Sequence, residues 1–262
     1  MTVLDDIIVN KRTEVAGLKK SNPLDRLSRD SEVRDFPGAL RRKCEGNINI
    51  ISEIKLRSPS GDWVKSANPV NVARLYEKSR AAAISVLTDK KYFGGDIRFI
   101  PEVRKCTTKP ILRKDFIIDE YQINEAFLYG ADAILLIAAI LSDDEIKNFE
   151  KIAGNLEMSC LVECRTKEEV MRVNEINNEV GNEIEIYGIN NRNLNDMTID
   201  LNTTRELKKI IPKGKTVVSE SGIKSREDIE FLRNSGVDAA LIGKSIMLSD
   251  DIVKKIDELL SV

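Results

Sequence analysis

Two rhythms of apolar residues alternate along this chain. From residue 48 onward, short runs rich in Ile, Val, Leu and Ala are separated by longer stretches in which apolar positions recur every three or four residues among charges. The runs at 48–55, 83–88, 110–114, 133–137, 159–163, 184–190, 216–219 and 239–242 predict buried strands, being short, nearly continuous in apolar character and β-branched. The stretches 71–81, 119–129, 143–154, 167–177, 203–211 and 225–235 predict amphipathic helices. Gly130-Ala131-Asp132-Ala133 and Gly236-Val237-Asp238-Ala239 each place a glycine where a helix should stop and the next strand begin. Ser225, with Asp228 three residues on, has the pattern of an N-cap. Eight βα units in succession predict a (β/α)8 TIM barrel. The rival, an open doubly wound sheet, would be favoured by Gly-x-Gly-x-x-Gly after the first strand, and none follows it.

The first part of the chain has a different character. Leu4, Ile7, Ile8, Val15 and Leu18 recur at helical spacing between Lys and Arg, which predicts a helix over residues 3–20. Asn22-Pro23 interrupts it, and a second short helix is expected at 24–27. Residues 1–46 therefore form an N-terminal helical extension, and 47–262 the barrel.

Composition narrows the chemistry. The 262 residues carry 41 Lys and Arg against 43 Asp and Glu, for a net charge of −2, which argues against nucleic acid or an anionic membrane as partner. There is no His, so imidazole triads, His-containing zinc sites and imidazole proton shuttles are excluded. Acid–base work has to fall to Lys, Glu, Asp, Tyr or Cys. The four cysteines, Cys44, Cys106, Cys160 and Cys164, form no C-x-x-C pair; they are expected to be reduced and to bind no metal, in a cytoplasmic protein. Asp5 and Asp6 interrupt the first apolar run, unlike a signal peptide. The longest run, 133–141, is too short to span a bilayer.

Charges collect where the strands end. Glu53 and Lys55 lie two apart at the end of the first run, hence on one face of a strand. Lys114, Glu163, Asn190 and Glu220 close the third, fifth, sixth and seventh. By alternation, Lys55, Lys114, Glu163, Asn190 and Glu220 share the inward parity of Ile51, Leu112, Leu161, Ile186 and Val218. Barrel active sites lie at the carboxyl ends of the strands, so these groups should converge in one mouth. Each carboxylate is expected to be held ionised by a neighbouring lysine, and each lysine to stay protonated. Ser221-Gly222 after the seventh strand and Gly243-Lys244 after the eighth fall in the two loops where barrels hold a phosphate on backbone N–H groups, and Ser58 and Ser60 would complete that ring from the first.

These residues resemble the indole-3-glycerol phosphate synthases of tryptophan biosynthesis over nearly the whole chain. The resemblance rests on Glu53-Ile54-Lys55 with Ser58-Pro59-Ser60, the 81–89 segment followed by Tyr92-Phe93-Gly94-Gly95, and Pro110-Ile111-Leu112-Arg113-Lys114-Asp115-Phe116-Ile117. It continues through Leu161-Val162-Glu163, Gly188-Ile189-Asn190-Asn191-Arg192-Asn193-Leu194, Ser219-Glu220-Ser221-Gly222-Ile223 and Leu241-Ile242-Gly243. The resemblance implies ring closure, decarboxylation and dehydration of 1-(2-carboxyphenylamino)-1-deoxyribulose 5-phosphate, a small phosphorylated substrate, with no cofactor or metal. It implies Lys114 as general acid at the ketone oxygen and Glu163 as acid–base partner in loss of the hydroxyl. Lys55 would neutralise the substrate carboxylate or donate in the dehydration, and the division of labour between the two lysines stays open, as does association with other enzymes of the pathway. Glu53, Asn190 and Glu220 would position the lysines and the substrate hydroxyls, with Arg192 near the substrate carboxylate and sugar. Ser58, Ser60, Ser221, Gly222, Gly243 and Lys244 would meet the phosphate, Phe93 and Phe116 would pack on the anthranilate ring, and the N-terminal extension would cap the mouth. Gly61-Asp62 stands where the family often has Lys after Ser-Pro-Ser, and Cys164-Arg165 also departs from its pattern. The neighbouring phosphoribosylanthranilate isomerase would need a Cys at the end of the first strand, where this chain has Glu53 and Lys55. A non-catalytic phosphate-binding barrel is the alternative from another class.

Overall fold

The eight apolar runs become eight parallel strands: β1 (Asn49–Ile54), β2 (Ala83–Leu87), β3 (Ile111–Lys114), β4 (Ala133–Ile137), β5 (Ser159–Cys164), β6 (Ile186–Asn190), β7 (Thr216–Glu220) and β8 (Ala239–Ile242). Each pairs with its neighbours in chain order, and β8 pairs with β1 to close a barrel. The computed structural model describes residues 2–26, 28–41, 48–58, 61–62, 67–179, 184–193 and 197–261.

Alternation sorts every strand into two faces. Outward residues such as Ile50, Ile84, Ile111, Leu136, Val162, Ile189 and Val217 join the large core between the barrel and its helices. Inward residues Ile51, Ala83, Leu112, Ala133, Leu135, Leu161, Ile186, Val218, Ala239 and Leu241 fill the interior. A barrel of this size is packed with side chains and is no pore.

The first 41 residues reach both ends of this barrel. Helix α1 (Val3–Ser21) starts with a capping box at Thr2 and Asp5. Lys11 from its buried face reaches Asp89 and Asp115, just past β2 and β3, so α1 lies at the carboxyl-end rim. A 3-10 turn, Leu24–Arg26, stands where a second helix is expected. The chain then descends to the opposite end, where Arg29 and Arg104 both pair with buried Asp132 at 2.9 and 2.8 Å. There α2 (Phe36–Leu40) inserts Phe36 and Leu40, both fully buried, beside the small inward residues Ala83, Ala133 and Ala239. Within the extension, α1 thus lies at the carboxyl-end rim, while α2 fills the other end.

Helices α3 (Pro69–Lys78), α4 (Lys90–Phe93), α5 (Phe99–Arg104), α6 (Glu120–Leu128), α7 (Asp143–Asn155), α8 (Lys167–Asn178), α9 (Asn202–Lys208), α10 (Arg226–Asn234), α11 (Lys244–Met247) and α12 (Ile252–Leu260) follow the strands in turn. Helices α4, α5, α11 and α12 are absent from the sequence reading: three are short, and α12 lies past the last strand. Ser225 caps α10 with Asp228 in a full capping box. Gly130 and Gly236, at φ +93° and +80°, follow the ends of α6 and α10 in the left-handed conformation that glycine adopts without strain.

Candidate active site

Four alternate strands place the decisive residues in one layer. Ile51, Leu112, Leu161 and Val218, from β1, β3, β5 and β7, make an apolar layer inside the barrel. Two residues further toward the carboxyl end, the same strands present Glu53, Lys114, Glu163 and Glu220. Stacked layers of four from alternate strands are the packing rule of this fold. Here the upper layer is charged: one ammonium among three carboxylates.

Lys114 Nζ lies 3.2 Å from Glu220 Oε2 and 3.4 Å from Glu163 Oε2. Lys55 pairs with Glu53. Asn190 Nδ2, at the end of β6, donates to Glu163 Oε1 at 3.0 Å, and its Oδ1 accepts from the Arg192 N–H at 3.0 Å. Arg192 itself is half-buried, and burial holds its guanidinium below the usual range. The Tyr76 hydroxyl, on α3, donates to the Glu53 carbonyl at 3.0 Å and holds the end of β1 from behind.

Electrostatics separate the charged groups. Burial opposes the Lys114 charge, but Glu220, Glu163 and Glu53 outweigh it and hold the ammonium above the usual lysine range. Burial lifts Glu220 to about 8; Lys114 pulls the other way, while Glu163 and Glu53 add to the rise. Glu220 Oε1 has no hydrogen-bond partner. This corrects the expectation that a lysine neighbour holds every carboxylate in the mouth equally ionised: burial, with Glu163 and Glu53 nearby, pushes Glu220 up, and Lys114 offsets that only in part.

Two glycines, one on β6 and one just past β8, make room for these carboxyl groups. A Cβ on Gly188 of β6 would stand 2.5 Å from Glu220 Oε1 and 2.6 Å from Leu161 Cδ2. A Cβ on Gly243 would collide with the Glu53 carboxylate. Gly243 has φ −115°, so its glycine answers to this close approach and not to a turn needing positive φ. Gly222 does have positive φ, +89°, and its neighbour Ser221 shares it at +68° although it carries a side chain. Asn191 holds that strained turn from behind, donating to the Glu220 and Ser221 carbonyls at 2.9 and 3.1 Å. Its Oδ1 accepts from Thr204 Oγ1 at 2.7 Å.

The remaining expected residues fall around this mouth with one gap. Phe93 of α4 and Phe116 after β3 face each other with ring centroids 6.0 Å apart. Lys244 opens α11 and is exposed. Ser58 lies in a two-residue ladder with Gly61, while Ser60 is outside the described residues. Gly188 and Asn191 enter the sequence reading only inside the 188–194 motif, with no role of their own, and Thr204 and Tyr76 are not named in it. Only Gly188 carried a local signal, as a glycine inside a strand, which marks a close approach. Among the described residues, no three of Cys, Asp and Glu are grouped to hold a metal ion, and no helix is long and apolar enough to cross a membrane. Cys106, Cys160 and Cys164 are free thiols, and burial pushes the latter two up. Cys44 is outside the described residues.

Fold and site together define a (β/α)8 barrel whose mouth gathers ammonium, carboxyl and amide groups. Its fold recurs in a 3-hexulose-6-phosphate synthase (TM-score 0.62, 17% identity, 82% of this chain and 99% of that one). It recurs also in a chain of the tryptophan synthase complex from Pyrococcus furiosus (TM-score 0.59, 17% identity, covering 83% and 99%). The particular family is set by sequence: the model of the indole-3-glycerol phosphate synthase family matches residues 4–259. The chain is 44% identical to the indole-3-glycerol phosphate synthase of Alkaliphilus metalliredigens, over 99% of its own length and 98% of the relative's. The synthases of Clostridium acetobutylicum (42%; 98% and 97% covered) and Legionella pneumophila strain Paris (40%; 99% of each) are similar over the same span. The chain belongs to the indole-3-glycerol phosphate synthase family.

Proposed function

We infer that this protein is an indole-3-glycerol phosphate synthase, converting 1-(2-carboxyphenylamino)-1-deoxyribulose 5-phosphate into indole-3-glycerol phosphate, carbon dioxide and water. The observation that carries the reading is the charged layer, in which Lys114 Nζ stands between Glu220 and Glu163 with the Glu53–Lys55 pair beside it. The aryl carbon bearing the carboxylate attacks the ketone carbon, and Lys114 gives its proton to the ketone oxygen, which becomes a hydroxyl. Loss of carbon dioxide restores the aromatic ring. The hydroxyl then leaves as water, taking a proton from the acid–base pair of Glu163 with Lys114 or Lys55, while the adjacent methylene loses a proton to form the indole double bond.

In this reading Glu53 and Asn190 orient Lys55 and Glu163. Glu220, its pKa raised by burial, accepts from Lys114 and orients it. Arg192 meets the substrate carboxylate or sugar hydroxyls. Ser58, Ser60, Ser221, Gly222, Gly243 and Lys244 receive the phosphate, and Phe93 and Phe116 enclose the aromatic ring. The positive φ of Ser221 and Gly222 supports this, because such a turn aims backbone N–H groups at an anion. The test is to mix the purified chain with the substrate, adding no metal or cofactor, and follow indole fluorescence. A rise is expected; none from folded protein would overturn the reading.

A further inference from the structure

A second buried ammonium lies outside the reaction just described. Lys11 is only 1% exposed, although it sits on a helix that packs over the barrel from outside. Long cationic side chains on such helices normally keep the charged end in water. Lys19, on the same helix, does so, pairing with Asp119 while half exposed. Lys11 instead points its Nζ between Asp89 Oδ2 at 3.0 Å, Asp115 Oδ1 at 2.9 Å and Glu14 Oε2 at 3.1 Å. Burying an ion costs several kcal/mol unless it is well paired, and three carboxyl groups, one on α1 itself and two just past β2 and β3, pair this one.

The partners of Lys11 are what matter. Asp115 directly follows Lys114, and its Oδ1 also accepts from the Phe116 N–H at 2.8 Å. Its Oδ2 accepts from Thr88 Oγ1 at 2.6 Å and faces Arg113 at 3.2 Å. Asp89 caps α4 through Oδ1, which takes the Tyr92 N–H at 2.8 Å. Its Oδ2 is buried and accepts no other hydrogen bond. Lys11 therefore touches the segment that follows Lys114 and carries Phe116, and the N-cap of the helix that carries Phe93.

We propose that Lys11 is a positioning residue for the reaction: its ammonium ties the loops after β2 and β3 together and so sets where Lys114, Phe93 and Phe116 stand against the substrate. The proposal rests on the synthase reading for its chemistry and on the geometry for its mechanics. Burial works against the Lys11 charge, but Asp115, Asp89 and Glu14 hold it above the usual lysine range, so the clamp stays charged wherever the enzyme is assayed.

The test compares Lys11→Met, Lys11→Arg, Asp89→Asn and Lys19→Met in the full chain, each shown to be folded at the assay temperature. Lys11→Met is expected to lower kcat/KM about 10- to 100-fold, with kcat falling as well as KM rising, since small misplacements of reacting groups cost that much. Lys11→Arg should restore part of the loss. Lys19→Met, which loosens the same helix where Lys19 meets Asp119 at the far end of the connection after β3 and leaves the contacts of Asp89 and Asp115 intact, should stay within about twofold of the parent, as surface pairs contribute little. In parallel, amide hydrogen exchange at Tyr92 and Phe116 should quicken about tenfold or more in Lys11→Met, while Ile111, held by Asp132 at the other end of the barrel, should not change. An unchanged kcat/KM, an equal loss in Lys19→Met, or unchanged exchange at Tyr92 and Phe116 would each overturn the proposal. If Lys11→Met does not fold, Asp89→Asn, which keeps the α4 cap, is judged by the same criteria. If the parent protein itself gives no turnover, the synthase reading fails, and the exchange rates alone decide whether Lys11 holds the loops.

Discussion

Asp115 and Glu220 are both buried carboxyl groups at strand ends of one barrel, each beside a lysine, and their pKa values are pushed in opposite directions. Asp115 engages both oxygens: Lys11 and the Phe116 N–H on one, Thr88 and Arg113 on the other. Burial works to raise its pKa, but Lys11, Arg113 and the Thr88 hydrogen bond win and lower it. Glu220 has Lys114 on one oxygen, nothing on the other, and Glu163 and Glu53 for company, so burial wins and lifts it to about 8. A lysine neighbour therefore does not decide the charge of a buried carboxylate; the count of its other partners does. Strained or under-satisfied polar groups are the common mark of sites built for chemistry.

The comparison can be broken at its active end first. Lys114→Met should cut turnover by about a thousandfold, within the usual range for loss of a general acid, while leaving a folded protein; steady-state indole fluorescence measures it. On the framework side, Asp115→Ala strands Lys11 and Arg113 without one of their counter-charges, and should destabilise the fold by about 3–5 kcal/mol in urea unfolding, the typical cost of breaking a buried pair. Gly188→Ala pushes a methyl against Glu220 and Leu161, for an expected loss of about 1–3 kcal/mol and a fall in activity, since the carboxyl must move.

The smallest effect is also the sharpest discriminator. Glu220 has a higher pKa folded than unfolded, so its contribution to stability is complete below about 4.5 and is lost as pH rises toward about 8. Asp115 runs the other way: its contribution is complete above its ordinary value and is lost as pH falls through its lowered one. Glu220→Gln should therefore flatten the decline in stability between about pH 5 and 8, and Asp115→Asn should leave that slope intact. Denaturant midpoints across this range distinguish the two.

The sequence carried the fold because barrel architecture is written in local periodicity. Eight apolar runs alternate with helical stretches, and strand parity alone aligned Lys114 with Leu112, Glu163 with Leu161 and Glu220 with Val218, the same inward series found in the interior. It also brought the mouth into view, since charges ending several apolar strands must meet at one end of a closed barrel. Single strands could not show which strand faces which across the interior. The spacing of Lys114 from both Glu220 and Glu163, the raised pKa of Glu220, and the room made by Gly188 and Gly243 depend on residues 32 to 190 positions apart meeting at one end of the barrel. The path of the first 41 residues was equally hidden. Their amphipathic pattern shows a helix with a buried face, but only the folded chain decides that Lys11 ends on Asp89 and Asp115 at one end while Phe36 fills the other, because burial and pairing are properties of the assembled neighbours and not of the segment.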